Sequence, residues 1–130
     1  MAQNAMLETG RQIRREVMGP EGGLPSTEWA FAKPFMDFAT EYVWGAIWSR
    51  PGLSRRERSL LNIAMFAALN RADELGLHIG LALNNGATPE EIREVFMQVA
   101  AYCGTPAGLT GFRAARQVFE KRGLDLEGRG

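Results

Sequence analysis

The chain has 130 residues, 45% of them hydrophobic, and its fifteen basic residues balance its fifteen acidic ones. This length fits one domain, residues 1–130, and the balanced charge argues against a nucleic-acid-binding face or attachment to a membrane surface. A single Cys excludes an internal disulfide framework, and the N-terminus lacks the apolar segment of a signal peptide, so we expect a cytoplasmic protein.

The first half of the chain predicts two helices separated by a loop. The first helix covers residues 6–18, and the Gly- and Pro-rich residues 19–27 form a loop, with a short turn over residues 26–31. A longer helix runs from about Pro34 to Trp48 and ends before residues 50–52, "RPG". Its apolar residues recur at helical spacing and predict a buried stripe, which comprises Phe35, Phe38, Ala39, Tyr42, Val43, Ala46 and Ile47.

The second half predicts four helices. A capping box at residues 54–57 begins a helix to about residue 70, which is apolar on most sides and therefore central. Asp73 is positioned to cap the next helix, which ends at residues 84–86, "NNG". Thr88 and Glu91 form a second capping box for a helix that continues to Cys103, and a last helix runs from residue 105 to 123 before a frayed tail. No stretch shows two-residue alternation, so the predicted fold is all-α with about six helices.

The aromatic and Met content is large for a chain of this size. Six Met, seven Phe and three Trp are a large apolar load, since a small isolated domain buries only about two-thirds of its unfolded surface. We therefore expect some helix faces to be buried against other subunits. An ordinary core is the alternative interpretation.

His78 is the first candidate for chemistry, because it is the only side chain expected to titrate near neutral pH without perturbation. Arg71, Glu74 and His78 are three and four residues apart, so they lie along one stripe of a helix. Glu74 is positioned to orient the imidazole or raise its pKa. The alternative is a hydrogen-bonded helix-surface His beside a solvated ion pair.

Residues 41–52, "EYVWGAIWSRPG", suggest a small-anion site. Trp44 and Trp48 share a helix face, and Arg50 lies just beyond the helix end. Aromatic walls beside a guanidinium suit a carboxylate ligand, because Arg offers a bidentate fork. Arg55 and Arg58 are close enough in sequence to contribute, and ordinary core packing of the two Trp residues is the alternative.

Cys103 follows Tyr102 at the C-terminal end of a helix, where partial negative charge disfavours a thiolate. A small buried hydrophobe is the expected identity. One His and one Cys do not provide a recognised metal-ligand spacing, so we expect no metal.

Four segments in this order resemble the 4-carboxymuconolactone decarboxylase family: "RREVMG", "EYVWGAIWSRPGLSRRERSLL", "ALNRADELGLHIGLALNNGATPEEIREV" and "QVAAYCGTPAG". The resemblance covers about residues 10–120. The wider superfamily contains alkylhydroperoxidase-D-like proteins, which are small helical subunits of trimers or hexamers. Redox members carry a Cys-x-x-Cys before a His that matches His78, whereas Arg71 and Glu74 stand at the cysteine positions here. This departure argues against peroxide or disulfide chemistry.

The resemblance implies a carboxy-lyase that converts 4-carboxymuconolactone to 3-oxoadipate enol-lactone in aromatic catabolism through protocatechuate. No cofactor is needed, because the electrons of the lost carboxylate flow through a double bond to the lactone carbonyl. His78 is expected to supply a proton or contact the oxyanion, with Glu74 orienting it. Arg50 (or Arg58) is expected to hold the side-arm carboxylate, because an Arg on the departing carboxylate would stabilise the ground state.

The remaining substrate-binding residues predicted from the resemblance are Trp44, Trp48, Tyr42 and Cys103, with the two Trp residues lining a dry pocket. Close family members carry a His-Val-Asp-Arg-like stretch between residues 19 and 35, which this chain lacks. A divergent member that acts on another lactone or β-keto-type acid is therefore an alternative. A thiol-dependent antioxidant using Cys103 and a non-catalytic helical oligomer that binds a small acid are further alternatives.

Overall fold

The computed structural model describes residues 2–19 and 30–126, with side chains from residue 5 onward. These residues form six α-helices, a short 3-10 helix and a π-helix, and they include no strand. The all-α prediction is therefore confirmed. The chain divides into two compact units, Met1–Arg55 and Arg56–Gly130, which we call the N-terminal and C-terminal units.

The N-terminal unit contains α1 (Ala2–Met18), a 3-10 turn (Ala30–Ala32), α2 (Lys33–Ala39) and a π-helix (Thr40–Ile47). The prediction of one continuous α-helix over residues 34–48 was therefore wrong in its second half. There the backbone N–H of Trp48 donates to the carbonyl of Val43, five residues earlier, at 2.9 Å. This spacing is the hydrogen-bond pattern of a π-helix, which often occurs at functional sites.

The π-helix packs closely against α1. A Cβ added to Gly45 would lie only 2.5 Å from the backbone carbonyl oxygen of Met6, so the glycine allows the two backbones to approach. The predicted buried stripe on this segment is wrong, because Phe35 and Phe38 are 65% and 62% exposed. The face that meets α1 instead contains the buried residues Thr40, Trp44, Gly45 and Trp48.

The C-terminal unit contains α3 (Arg55–Ala68) except for its first residue, and also α4 (Ala72–Asn84), α5 (Pro89–Cys103) and α6 (Thr105–Lys121). In this unit α6 packs against both α4 and α5. The buried core side chains come from all four helices, and they include Ile63, Ala67, Leu75, Ile79, Ala82, Ile92, Phe96, Val99 and Ala115. The inward positions predicted for α5 are confirmed for Ile92, Phe96 and Val99.

Three predicted helix boundaries are confirmed. The Thr88 side chain accepts a hydrogen bond from the Glu91 N–H, and the Glu91 carboxylate accepts one from the Thr88 N–H, which completes the capping box. Gly86 and Gly104 follow α4 and α5 with φ near +100°, a conformation that glycine adopts without a Cβ penalty.

Two other predictions about these helices were wrong. Asp73 lies inside the first turn of α4, whose N-cap is Arg71 without a side-chain cap. The helix α3 is buried on one face only, because its opposite face leaves Leu61 and Met65 at least half exposed, as is Leu69 just beyond its end.

The predicted loop over residues 19–27 and turn over residues 26–31 fall largely on residues 20–29, outside the described residues, and the last four residues of the predicted frayed tail do so too. Within the described chain, no helix combines the length and apolar character needed to cross a bilayer.

Candidate functional site

The helix α4 holds His78 at the edge of its buried face. Leu75, Ile79 and Ala82 on the same helix are completely or almost completely buried in the core of the C-terminal unit. His78 lies three residues after Leu75 and four residues before Ala82, so it lies on the same side of the helix as these two residues. The anchored helix therefore fixes the backbone of His78, while the imidazole remains half-buried.

Phe66 on α3 packs directly against the imidazole of His78. The two ring centroids are 4.7 Å apart and the rings are inclined by 50°, a tilted arrangement that aromatic pairs favour. The connection between α3 and α4 is only three residues long, so neighbouring faces of the two helices meet. Phe66 therefore shields one side of the imidazole from water and limits its rotation.

Burial lowers the pKa of His78 from 6.5 to about 4, and the nearby Glu74 carboxylate opposes this effect. Desolvation dominates because removing water disfavours the charged imidazolium more than one exposed carboxylate favours it. His78 is thus a neutral imidazole at neutral pH. A neutral imidazole donates a hydrogen bond through one ring nitrogen and accepts one through the other.

Glu74 and Arg71 precede His78 on the chain, and both are exposed. The electrostatic interaction of Glu74 with His78 agrees with the predicted stripe. Arg71 is the N-cap of α4, and its backbone carbonyl accepts a hydrogen bond from the Leu75 N–H at 2.9 Å. Glu74 therefore lies close enough to His78 to affect its charge, and the backbone of Arg71 forms the N-cap of α4.

The two arginine candidates for binding a carboxylate lie in different units. Arg58 is half-buried on α3, eight residues before Phe66, which corresponds to about 12 Å along a helix. Arg50 is exposed in the N-terminal unit, where its backbone N–H donates to the Ile47 carbonyl at 3.1 Å. Arg55 forms an ion pair with Glu16 at 2.8 Å.

The aromatic candidates belong to the N-terminal unit. Trp44 and Trp48 are buried and contact each other with ring centroids 4.8 Å apart, so their shared helix face is confirmed. Tyr42 is exposed and stacks on Phe38 with a centroid separation of 5.9 Å. The two Trp side chains therefore belong to the packed interior of their unit, whereas Tyr42 lies on its surface.

Cys103 is exposed, so its prediction as a buried hydrophobe was wrong. It lies at the end of an open groove of about 780 Å³ between α3 and α5, whose other lining residues include Leu61, Met65 and Tyr102. The thiol is accessible because α5 ends at Cys103 and Gly104 turns the chain away.

A second open groove of about 610 Å³ lies between α5 and α6, where Phe112, Phe119 and Arg116 are among its lining residues. His78 lines neither groove. Among the described residues, no three His, Cys, Asp or Glu side chains come together in a metal-binding arrangement.

Phe66, which contacts the imidazole directly, is a site residue that the sequence did not identify. The short connection between α3 and α4 was the available signal, because helices joined by two to five residues usually pack as antiparallel neighbours. Periodicity along α3 gives no direct indication of which residue meets His78 across that hairpin.

Comparison with known proteins agrees with the earlier resemblance. Residues 33–117 match the Carboxymuconolactone decarboxylase family. The chain is 38% identical over 120 residues to the 4-carboxymuconolactone decarboxylase of Acinetobacter baylyi, covering 91% of this chain and 90% of that protein. It is 40% identical over 104 residues to the nitrosuccinic acid decarboxylase of Metarhizium robertsii, covering 78% and 73%. The chain therefore belongs to the carboxymuconolactone decarboxylase family.

Proposed function

We propose that this chain is a cofactor-independent carboxy-lyase that converts 4-carboxymuconolactone to 3-oxoadipate enol-lactone in aromatic catabolism. The observation that carries the proposal is the single imidazole of the chain, half-buried against Phe66 on a helix anchored in the core. Family membership and the similarity to two proteins named as decarboxylases support it.

The chemistry requires a place for the electrons of the broken bond. When the bond from the ring carbon to the carboxylate breaks, carbon dioxide leaves and the electron pair passes through the conjugated double bond to the lactone carbonyl oxygen. A proton from solvent then adds to carbon and gives the enol-lactone. The protein must therefore stabilise negative charge on that oxygen and control protonation.

The neutral state of His78 favours the oxyanion role over the proton-donor role. An imidazole whose pKa is about 4 carries almost no imidazolium at neutral pH, and proton donation from neutral imidazole would create a strongly basic imidazolate. We therefore assign the ring N–H of His78 to the developing oxyanion. Glu74 orients the ring and partly offsets its desolvation.

The two relatives' names indicate a common substrate pattern. Carboxymuconolactone and nitrosuccinic acid each carry two carboxyl groups, and loss of one leaves a carbanion whose charge moves to oxygen, as a dienolate or a nitronate. The second carboxylate persists through the reaction. We assign it to Arg50 (or Arg58), because a guanidinium binds a carboxylate in a bidentate manner.

The remaining substrate-binding candidates are two buried tryptophans and two exposed side chains. Trp44 and Trp48 exclude water from the interior of the N-terminal unit, and a dry environment favours loss of a charged carboxylate. Tyr42 and Cys103 are exposed and are assigned to contacts with the substrate. Conservative substitutions such as Tyr42→Phe and Trp48→Phe should raise KM more than they lower kcat.

We further propose that the protein is a cytoplasmic homo-oligomer, a trimer or hexamer. Phe31 and Phe35 are 80% and 65% exposed, and Phe38 and Tyr42 continue this exposed aromatic surface. Apolar patches of this kind commonly mark protein–protein interfaces. Light scattering of the purified protein tests this part, and a monomer at micromolar concentration would refute it.

The experiment for the main proposal is incubation of the purified protein with 4-carboxymuconolactone, without added metal or cofactor and with a chelator present. Carbon dioxide release should occur in the wild type and fall at least a hundredfold in His78→Leu, which has no hydrogen-bond donor, as expected for the loss of one oxyanion donor. Gln117→Leu, a change at an exposed position of α6, serves as the matched control.

Nitrosuccinic acid is the second candidate substrate, favoured by the 40% identity to the fungal enzyme. The same purified protein should be assayed with both acids, and the ratio of the two kcat/KM values identifies the better substrate. The exposure of Cys103 keeps a thiol-dependent activity as an alternative. Peroxide reduction that disappears in Cys103→Ser, without lactone turnover, would support that alternative. Acid binding without any turnover would indicate a non-catalytic oligomer.

A further inference from the structure

The helix α3 carries two polar side chains without hydrogen-bond partners among the described residues. Asn62 is the only strongly polar residue in the otherwise apolar run over residues 60–69, it is half-buried, and its amide forms no hydrogen bond within the described chain. Ser59 is 2% exposed, and its hydroxyl oxygen is buried without a partner there. A buried polar atom without a partner, such as the Ser59 hydroxyl, is rare in native proteins and costs about 1–3 kcal/mol. The half-buried amide of Asn62 remains within reach of solvent.

These side chains lie on the same stripe of α3 as Phe66. Asn62 precedes Phe66 by four residues and Ser59 precedes it by seven, which is the spacing of one helix face. Phe66 contacts His78, so this face of α3 is the one that meets the imidazole. Side chains on a helix lean towards its N-terminus, which brings the Phe66 ring, and with it His78, to the level of Asn62.

We propose that the side-chain amide of Asn62 contacts the substrate and donates a hydrogen bond to the oxygen that becomes negative as carbon dioxide leaves. This inference rests on the proposed decarboxylase function and adds a second donor beside His78. An amide suits this position because it is neutral at every working pH and donates without losing a proton. The carbon–carboxylate bond breaks, its electron pair ends on the carbonyl or nitro oxygen, and the Asn62 N–H stabilises that charge.

The unpartnered state of Asn62 and Ser59 is then explained by the reaction. A donor that must meet charge developing in the transition state is held ready in the free protein and not satisfied by neighbouring groups. The stability cost of leaving the Ser59 hydroxyl unpaired is recovered when substrate oxygens occupy this face of α3. A ligand that supplies two or more acceptor oxygens, such as a dicarboxylic acid, can accept hydrogen bonds from both Asn62 and Ser59.

The test compares Asn62→Leu and the isosteric Asn62→Asp with the wild type and with Gln117→Leu. Both Asn62 variants should lower kcat by about a hundredfold on the better of the two acids, with little change in KM, because the donor acts chiefly in the transition state. The melting temperature of Asn62→Leu should equal or exceed that of the wild type, since a half-buried unpaired amide is removed. Normal turnover in Asn62→Leu would overturn the proposal. A lowered melting temperature of Asn62→Leu combined with normal turnover in Asn62→Asp would also overturn it.

A second measurement separates this proposal from the proposed function. If the wild type decarboxylates neither acid, the proposed function fails, and the Asn62 side-chain amide signals in a nitrogen-15 NMR spectrum become the test. These signals are assigned by their loss in Asn62→Leu. A shift on addition of 3-oxoadipate enol-lactone or 3-nitropropanoate supports ligand contact, whereas unchanged signals at saturating ligand overturn it.

Discussion

The buried state of His78 predicts a specific dependence of stability on pH. Burial lowers the pKa of this imidazole from 6.5 to about 4, so the unfolded chain binds a proton at mildly acidic pH that the folded chain does not bind. Stability therefore rises with pH across this interval. The contribution of the neutral imidazole is fully present above pH 6.5 and is lost as the pH falls from 6.5 towards 4.

The size of the effect follows from the same two values. One pKa unit corresponds to 1.36 kcal/mol, so a fall from 6.5 to about 4 corresponds to about 3 kcal/mol of unfolding free energy at pH 4. This is a large fraction of the total stability of a small domain, which is typically about 5–15 kcal/mol. Glu74 reduces the effect, because its carboxylate favours the imidazolium.

Urea unfolding of the wild type and His78→Gln between pH 4 and pH 8, at one protein concentration, measures this contribution. Other titrating groups affect both proteins equally, so the difference between the two curves isolates His78. We expect that difference to change by about 3 kcal/mol across the range, with the wild type losing more stability at low pH.

A direct titration provides an independent check. The chain contains one His, so its imidazole gives a single titrating proton NMR signal without ambiguous assignment. A midpoint near 6.5 in the folded protein, together with parallel unfolding curves for the two proteins, would refute the argument that Phe66 and the surrounding core desolvate the ring.

Three further predictions concern the packing around this site and the helix framework. Phe66→Leu should raise the pKa of His78 towards 6.5, because the smaller side chain admits water to the imidazole, and the same NMR titration measures it. Thr88→Ala should lower the unfolding free energy by about 1 kcal/mol through loss of the capping box, measured by urea unfolding. Gly45→Ala should destabilise the protein by about 1–3 kcal/mol because the added methyl meets a backbone carbonyl of α1, whereas Gly52→Ala, in open space, should be nearly neutral in thermal unfolding.

The Thr88 prediction has a matched control within the chain, and the Phe66 prediction has a defined contradicting outcome. Thr105→Ala matches the Thr88 substitution, because α6 begins without a side-chain cap and the exposed hydroxyl of Thr105 has no capping hydrogen bond to lose. An equal loss in both variants would contradict the capping argument. For Phe66, an unchanged His78 pKa in Phe66→Leu would show that other core residues alone desolvate the imidazole.

Helix starts and stops were predictable because local chemistry determines them. Thr88 and Glu91 satisfy each other's backbone N–H groups within one turn, and Gly86 and Gly104 take a conformation that other residues avoid. These interactions involve residues no more than three or four positions apart. The capping expected from Asp73 failed because Arg71 begins α4 two residues earlier.

Burial of particular faces was less predictable. Periodicity identified the apolar residues around Phe38 correctly but assigned them to the interior, whereas Trp44 and Trp48 are the buried pair. The π-helical turn and the close approach of Gly45 to α1 decide which face is covered. The close approach of Gly45 to α1 joins segments that are more than thirty residues apart in the chain, whereas the π-helical turn changes locally which side chains share a face.

The candidate site was also only partly predictable from the sequence. The sequence indicated His78 and Glu74 from residue type and spacing, and ordered motifs indicated the family. It gave no indication that Phe66 covers the imidazole or that Cys103 is exposed.

The sequence by itself therefore determined the helices, most of their ends, the family and the identity of the one titrating imidazole, because residue type, spacing and motif order carry these properties. Only the tertiary structure decided that this imidazole is neutral and that the hydroxyl of Ser59 on α3 is buried without a partner among the described residues. Desolvation and hydrogen-bond satisfaction depend on what packs around a group, and that information exists only after distant segments have come together.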